Sequence, residues 1–169
     1  MKNLQLFFGK PVTAPCLIPV SHAATPTCIN EPFMVGSGIY RVTALSFGNA
    51  HGAVAVDDID GFDVNSIGEA LGNHPRFPKG ANIVFFQALD KGNIKARLWQ
   101  KGEGEKPVTH EAVCVAGTAS IMVHAILKNE VNVSMGGHVY TVRWDRGKGV
   151  TLSDLPNTVQ VDRVTAASA

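Results

Sequence analysis

Three kinds of side chain in this 169-residue chain could move protons or hold a metal: three cysteines, six histidines and a run of close carboxylates. A thiol acts as base or nucleophile only as the thiolate, which needs a helix N-terminus, a cation or an imidazolium beside it. Cys16, Cys28 and Cys114 show no C-x-x-C spacing, and an odd number fits reduced thiols in a cytoplasm better than a disulfide framework. His22, His51, His74, His110, His124 and His138 include no pair at the i, i+4 spacing of a helical metal site. His110 and Glu111 open HEAVC, which lacks the second histidine of a zinc-binding HExxH. Asp57, Asp58 and Asp60 cluster without the closing Glu of a calcium loop, so they read as a solvated turn. No GxSxG elbow and no phosphate loop is present, and the GxG at 102–104 runs into Pro107 rather than a dinucleotide-binding helix. The expectation is no metal and no cofactor.

The residues left for chemistry must be positioned by a core, and the stretch 111–127, EAVCVAGTASIMVHAIL, is its centre. Its apolar residues cannot share one stripe of a 3.6-residue period, and a helix apolar all round is buried all round. It is too short, and too interrupted by Thr118, Ser120 and His124, to cross a bilayer. Gly117 costs about 1 kcal/mol against Ala inside a helix, so another backbone or a ligand is expected to come close there. Cys114 within this helix reads as a small buried hydrophobe.

The surrounding chain reads as strands: 4–8, 39–47, 53–56, 82–89, 94–100, 131–134, 138–144, 150–152 and 158–164. Asp63 is placed to cap a short helix over 64–71, ended by Gly72 and Asn73. Residues 10–36 read as a long surface connection, 102–107 as a flexible loop and 165–169 as a frayed tail. No shift in composition and no repeat divides residues 1–169, so one domain is expected. The fold class is α+β: a curved, mainly antiparallel sheet wrapped around one buried central helix. A net charge near +1 with no basic run excludes electrostatic capture of nucleic acid or an anionic membrane surface. The first residues lack the apolar core of a secretory signal, because Gly9 and Pro11 stop it.

Several phrases then occur in a familiar order. LSFGNAHGAVAVDDID resembles the segment carrying the GNPH signature of diaminopimelate epimerases. IGEALGNHPRFPKGANIVFFQ resembles the following segment with its FP-x-G-x-N turn, and IKARLWQKGEGE the strand ending in Glu-Arg-Gly. VAGTAS is similar to the Ala-Cys-Gly-Thr-Gly at the start of that family's central helix, and the flanking strands match its C-terminal half. The resemblance implies a diaminopimelate-epimerase-like domain equivalent to half of a two-domain, cofactor-independent enzyme. In that family two thiols from two halves face each other across a cleft, each near a helix N-terminus, and invert an α-carbon.

On this alignment Ala116 stands where the family has cysteine, with extra residues between Glu105 and Gly117, and Gln100-Lys101 replace Glu-Arg. Neither replacement is neutral: Gln100 lacks the charge, and Lys101 lacks the bidentate fork. The resemblance nominates Asn49, His51, Asn82, Gln100, Lys101, Gly117 and Thr118 as substrate-binding residues. The asparagines have an alternative role in satisfying turns. The expectation is a catalytically inactive, epimerase-like binding or regulatory protein in the cytoplasm. It would form a homodimer that replaces the internal pseudo-two-fold with a true one, and its ligand would be a small amino acid or a protein partner. The alternative is an amino-acid epimerase or racemase, an isomerase working through Cys114 across a dimer or with a partner half. A third reading is an isomerase with His51 or Lys101 as base.

Overall fold

Residues 112–121 are all buried, and they form most of a 13-residue helix, α2 (His110–Met122). The computed structural model describes residues 4–21 and 25–156. Thr109 caps α2 by accepting the Ala112 N–H at 3.0 Å. The helix ends five residues before the expected 127. Val123 is its C-cap, and His124 takes a left-handed conformation at φ 63°, which turns the chain away. Leu127, expected inside the helix, is exposed.

In chain order the strands are β1 (Leu6–Gly9), β2 (Glu31–Val35), β3 (Gly38–Ser46), β4 (Ala50–Ala55), β5 (Asn82–Ala88), β6 (Asn93–Gln100), β7 (Gly104–Lys106), β8 (Glu130–Met135), β9 (His138–Asp145) and β10 (Gly149–Ser153). They join in one curved sheet of order β1-β10-β9-β8-β6-β5-β4-β3-β2, with β7 paired to β6. Only the β4–β5 and β6–β8 neighbours are parallel among the described pairings. Parallel neighbours need a crossover, and the two helices sit on those crossovers. Helix α1 (Val64–Gly72) lies between β4 and β5, and α2 between β6 and β8. The structure is therefore the α+β arrangement expected, with α2 packed against β3, β4, β5, β6, β8, β9 and β10.

Strand β5 explains how one sheet carries two cores. Val84 and Phe86 pack with α2, while Ile83 and Phe85 pack with Val64 and Leu71 of α1. A strand covered on both faces reads as a continuous apolar run, which NIVFFQA does. Asp63 caps α1 as expected, accepting the Ser66 N–H at 3.2 Å.

Two expectations are corrected. The segment 10–36 is not a plain surface connection. It contains a short 3-10 turn, Pro15–Leu17, and the edge strand β2, and it buries Ile18, Val20, Cys28 and Phe33 against the α1 side of the sheet. The 102–107 loop includes β7, held by the Arg97–Glu105 pair at 2.7 Å. Arg97 also donates to the carbonyls of Ile59 and Phe62, which fixes the aspartate-bearing turn as a structural feature. The strand expected at 158–164 and the tail at 165–169 lie outside the described residues.

Candidate functional site

The start of β4, the start of β5 and the end of β6 meet at one end of the sheet. Parallel pairing sets His51 beside Asn82, and antiparallel pairing returns β6 to the same place, so Gln100 and Lys101 arrive next to Asn82. An open groove of about 420 Å³ lies there, lined by Asn49, Asn82, Gln100 and Lys101, with Lys79 and Pro19 among the remaining walls. The volume falls in the range of small-molecule sites. The Asn82 side-chain oxygen accepts the Lys101 backbone N–H at 2.9 Å. The Lys101 ammonium donates to the Lys79 carbonyl at 2.8 Å. Its chain lies across Gly80, where an added Cβ would come 2.5 Å from Lys101 Cε. The Lys101 side chain is thus held along the wall of the groove.

The β3–β4 turn supplies a second layer. Glu111, in the first turn of α2, reaches it with both carboxylate oxygens. One accepts the backbone N–H groups of Phe47 at 3.3 Å and Asn49 at 2.9 Å, and the other accepts the Asn49 side-chain amide at 2.8 Å. Sequence reasoning passed over Glu111 except as a helix start. The available signal was a carboxylate two residues after the Thr109 cap, where the helix dipole favours an acid.

His51 lies beneath this turn with 1 % of its surface exposed. Its Nδ1 is 2.9 Å from the Asn49 carbonyl and 3.8 Å from the Glu111 carboxylate. A carbonyl only accepts, so Nδ1 carries the hydrogen and Nε2 the lone pair; Nε2 is buried with no partner. Burial lowers the His51 pKa from the ordinary 6.5, while Glu111 and the Asn49 carbonyl pull it back upward. Burial alone lowers that of His110. Both imidazoles are held more neutral in the folded chain than in the unfolded one. Below about pH 6.5 the unfolded chain therefore takes up more protons, and stability falls as pH drops through that value toward the folded pKa. Thermal melting should show a lower midpoint at about pH 5.5 than at about pH 7.5, with His51→Gln flattening the difference. An unchanged midpoint, or the same slope in His51→Gln, would contradict this assignment.

Four nominated residues, Asn49, Asn82, Gln100 and Lys101, thus line one groove, and His51 lies buried below it. Three do not join them. Cys114, Gly117 and Thr118 lie within α2, fully buried, with Ala116 among them. Burial, seconded by the Glu111 carboxylate, pushes the Cys114 thiol far above its ordinary range, so it stays protonated. Gly117 is packed on Val142, and Thr118 Oγ1 has no partner. The extra residues before Gly117 are not a longer loop but the first turns of the helix. Only Pro107 and Val108 separate β7 from the Thr109 cap. The residue at the helix start is therefore Thr109, not Ala116.

A model of the diaminopimelate epimerase family matches residues 43–153. The chain is 30 % identical over 145 residues to the diaminopimelate epimerase of Leptospira biflexa, covering 86 % of this chain and 51 % of that one. Against the diaminopimelate epimerase of Geobacillus kaustophilus the identity is 29 % over 158 residues, covering 93 % and 54 %. For Pseudomonas aeruginosa it is 34 % over 136 residues, covering 80 % and 48 %. The chain spans about half the length of the curated relatives it matches. Among solved structures, a phenazine biosynthesis protein of the PhzF family from Bacillus anthracis overlaps 89 % of this chain and 39 % of its own, at TM-score 0.44 and 13 % identity.

Proposed function

Because the chain belongs to the diaminopimelate epimerase family, we propose that residues 1–169 act as one epimerase-like domain that binds a ligand at the groove without turning it over. The observation that carries this reading is the state of α2. Its single cysteine is enclosed in the core with its thiol held protonated, and the helix start offers the hydroxyl of Thr109, already bonded to Ala112. Neither group can take an α-proton from a molecule in the groove. Lys101, the third candidate base, is an exposed ammonium bonded to the Lys79 carbonyl. The His51 lone pair is buried away from solvent. Binding is supported by the convergence of Asn49, Asn82, Gln100 and Lys101 on one groove.

The test is α-proton exchange in deuterated buffer with L- and D-amino acids, diaminopimelate included. No exchange above a heat-killed control is expected, and Cys114→Ala should leave that result unchanged. Exchange that Cys114→Ala removes would establish the isomerase instead. We also propose a homodimer in the cytoplasm. The match covers about half of each curated relative, and a second copy would face the groove with a complementary half. The three free thiols support a reducing compartment. Among the described residues no helix is long and apolar enough to cross a membrane. Light scattering on a sizing column should give twice the chain mass; a monomer at every concentration would remove the dimer and leave the binding test standing.

A further inference from the structure

The groove's charge is one-sided. Lys79 and Lys101 line it, and no Asp or Glu does. Glu111, which bonds the groove-lining Asn49, has its oxygens engaged by the N–H groups of Phe47 and Asn49 and by the Asn49 amide. The other acids in the neighbourhood, Glu69 and Glu103, line a separate hollow of about 500 Å³ beside α1, which shares only Lys101 with the groove. Glu103 is moreover paired with Lys106 at 3.1 Å. The remaining polar groups lean toward donation. The Lys101 ammonium spends one of its three hydrogens on the Lys79 carbonyl and keeps two to offer. The Asn82 oxygen is occupied by the Lys101 N–H, which leaves its NH₂ as the free end among the described contacts. Gln100 is neutral and can donate through its own NH₂.

A zwitterionic amino acid brings a carboxylate and an ammonium. The carboxylate suits this lining. The ammonium finds no carboxylate among the lining residues, where two lysines stand, and Glu111 behind Asn49 has its oxygens engaged by three N–H donors. A like charge a few ångströms away costs from about 1 kcal/mol in water to about 4 kcal/mol near a protein surface. Gln100 and Asn49 oxygens could hydrogen-bond an ammonium but could not cancel its charge.

Building on the binding function proposed above, we propose that the groove takes a small carboxylate, in particular a dicarboxylate, that lacks an α-amino group. Its ligands are organic acids of the succinate type, not amino acids. Lys101 is the charge anchor, and the Asn82 and Gln100 amides are the orienting donors.

Succinate and L-aspartate share a carbon skeleton and differ at the amino group, which makes them the probes. The full chain, labelled with ¹⁵N, is titrated with each while the side-chain amides of Asn82 and Gln100 and the backbone amide of Lys101 are followed by NMR. Succinate should shift these resonances and saturate at a dissociation constant at least about tenfold below that of L-aspartate. Lys101→Met, shown by its spectrum to be folded, should lose the response. Gln100→Glu should narrow or invert the ratio by restoring an anion to the wall. If L-aspartate binds as well as succinate, the groove is a ligand site but the selectivity proposed here is wrong. If neither probe moves these resonances, or succinate moves only residues elsewhere, the selectivity and small-acid binding at this groove both fall.

Discussion

Replacing Glu111 with alanine should lower the unfolding free energy by about 3 kcal/mol and the melting midpoint by roughly 10 °C. Three donors converge on this one carboxylate: the N–H groups of Phe47 and Asn49 and the Asn49 amide. Hydrogen bonds to a charged acceptor each contribute about 1.5–3 kcal/mol, and those of the partly exposed donors are partly replaced by water. An acid in the first turn of a helix adds about 0.3–1 kcal/mol. The contact also ties α2 to the β3–β4 turn, across 62 residues of sequence between Asn49 and Glu111. Its loss should free the Asn49 wall of the groove as well as weaken the fold. Glu111→Gln keeps the side-chain length and one acceptor oxygen, so it should cost about half as much. Denaturant unfolding measures both. A Glu111→Ala loss below about 0.5 kcal/mol, the scale of an ordinary surface change, would show that the three contacts are not held in solution.

Gly117→Val should cost about 3 kcal/mol or more, with no specific effect on the groove. A Cβ at position 117 would lie 2.7 Å from Val142 Cβ and 2.8 and 2.9 Å from its two methyls. Carbon atoms pack at about 3.5–4.0 Å, so one side must move by nearly an ångström. Val142 has little room to do so. It is β-branched and stiff at χ1, and its strand is paired on both sides, opposite Val131 of β8 and Leu152 of β10. The better helix propensity of valine returns only a few tenths of a kcal/mol. Val142→Ala in the same chain should recover part of the loss, giving a coupling of about 1–2 kcal/mol in a double-mutant cycle. A single Gly117→Val variant as stable as the parent would overturn the close approach of α2 to β9.

Gly117 also shows where reading the sequence succeeded and where it did not. A glycine inside an all-apolar helix is a signal of close approach, and the approach is there, from Val142. The same residue, read through its resemblance to a family motif, became a ligand contact at a helix start. The motif VAGTAS was matched by letters, but a helix begins where a side chain can satisfy its first free N–H groups. That side chain is Thr109, eight residues before Gly117, which lies against β9. Cys114 followed the same course. Its placement as a small buried hydrophobe agrees with a fully enclosed thiol, whereas its candidacy as a catalyst depended on an alignment that did not start from the cap.

The sequence by itself determined that α2 is central and that apolar strands surround it. Both are properties of local patterning: residues apolar at every phase of a 3.6-residue repeat have no face to give to water. It also determined the cap at Asp63. The groove was nominated residue by residue but not assembled, because Asn49, Asn82 and Lys101 meet only through the parallel pairing of β4 with β5 and the return of β6. The tertiary structure alone decided which groups remain available there. Glu111 is consumed by the β3–β4 turn, His51 is enclosed beneath it, and the Lys101 ammonium is fixed against the Lys79 carbonyl. Burial and hydrogen-bond partners arise between segments far apart in the chain, and they set the charge and reactivity that residue type alone leaves open.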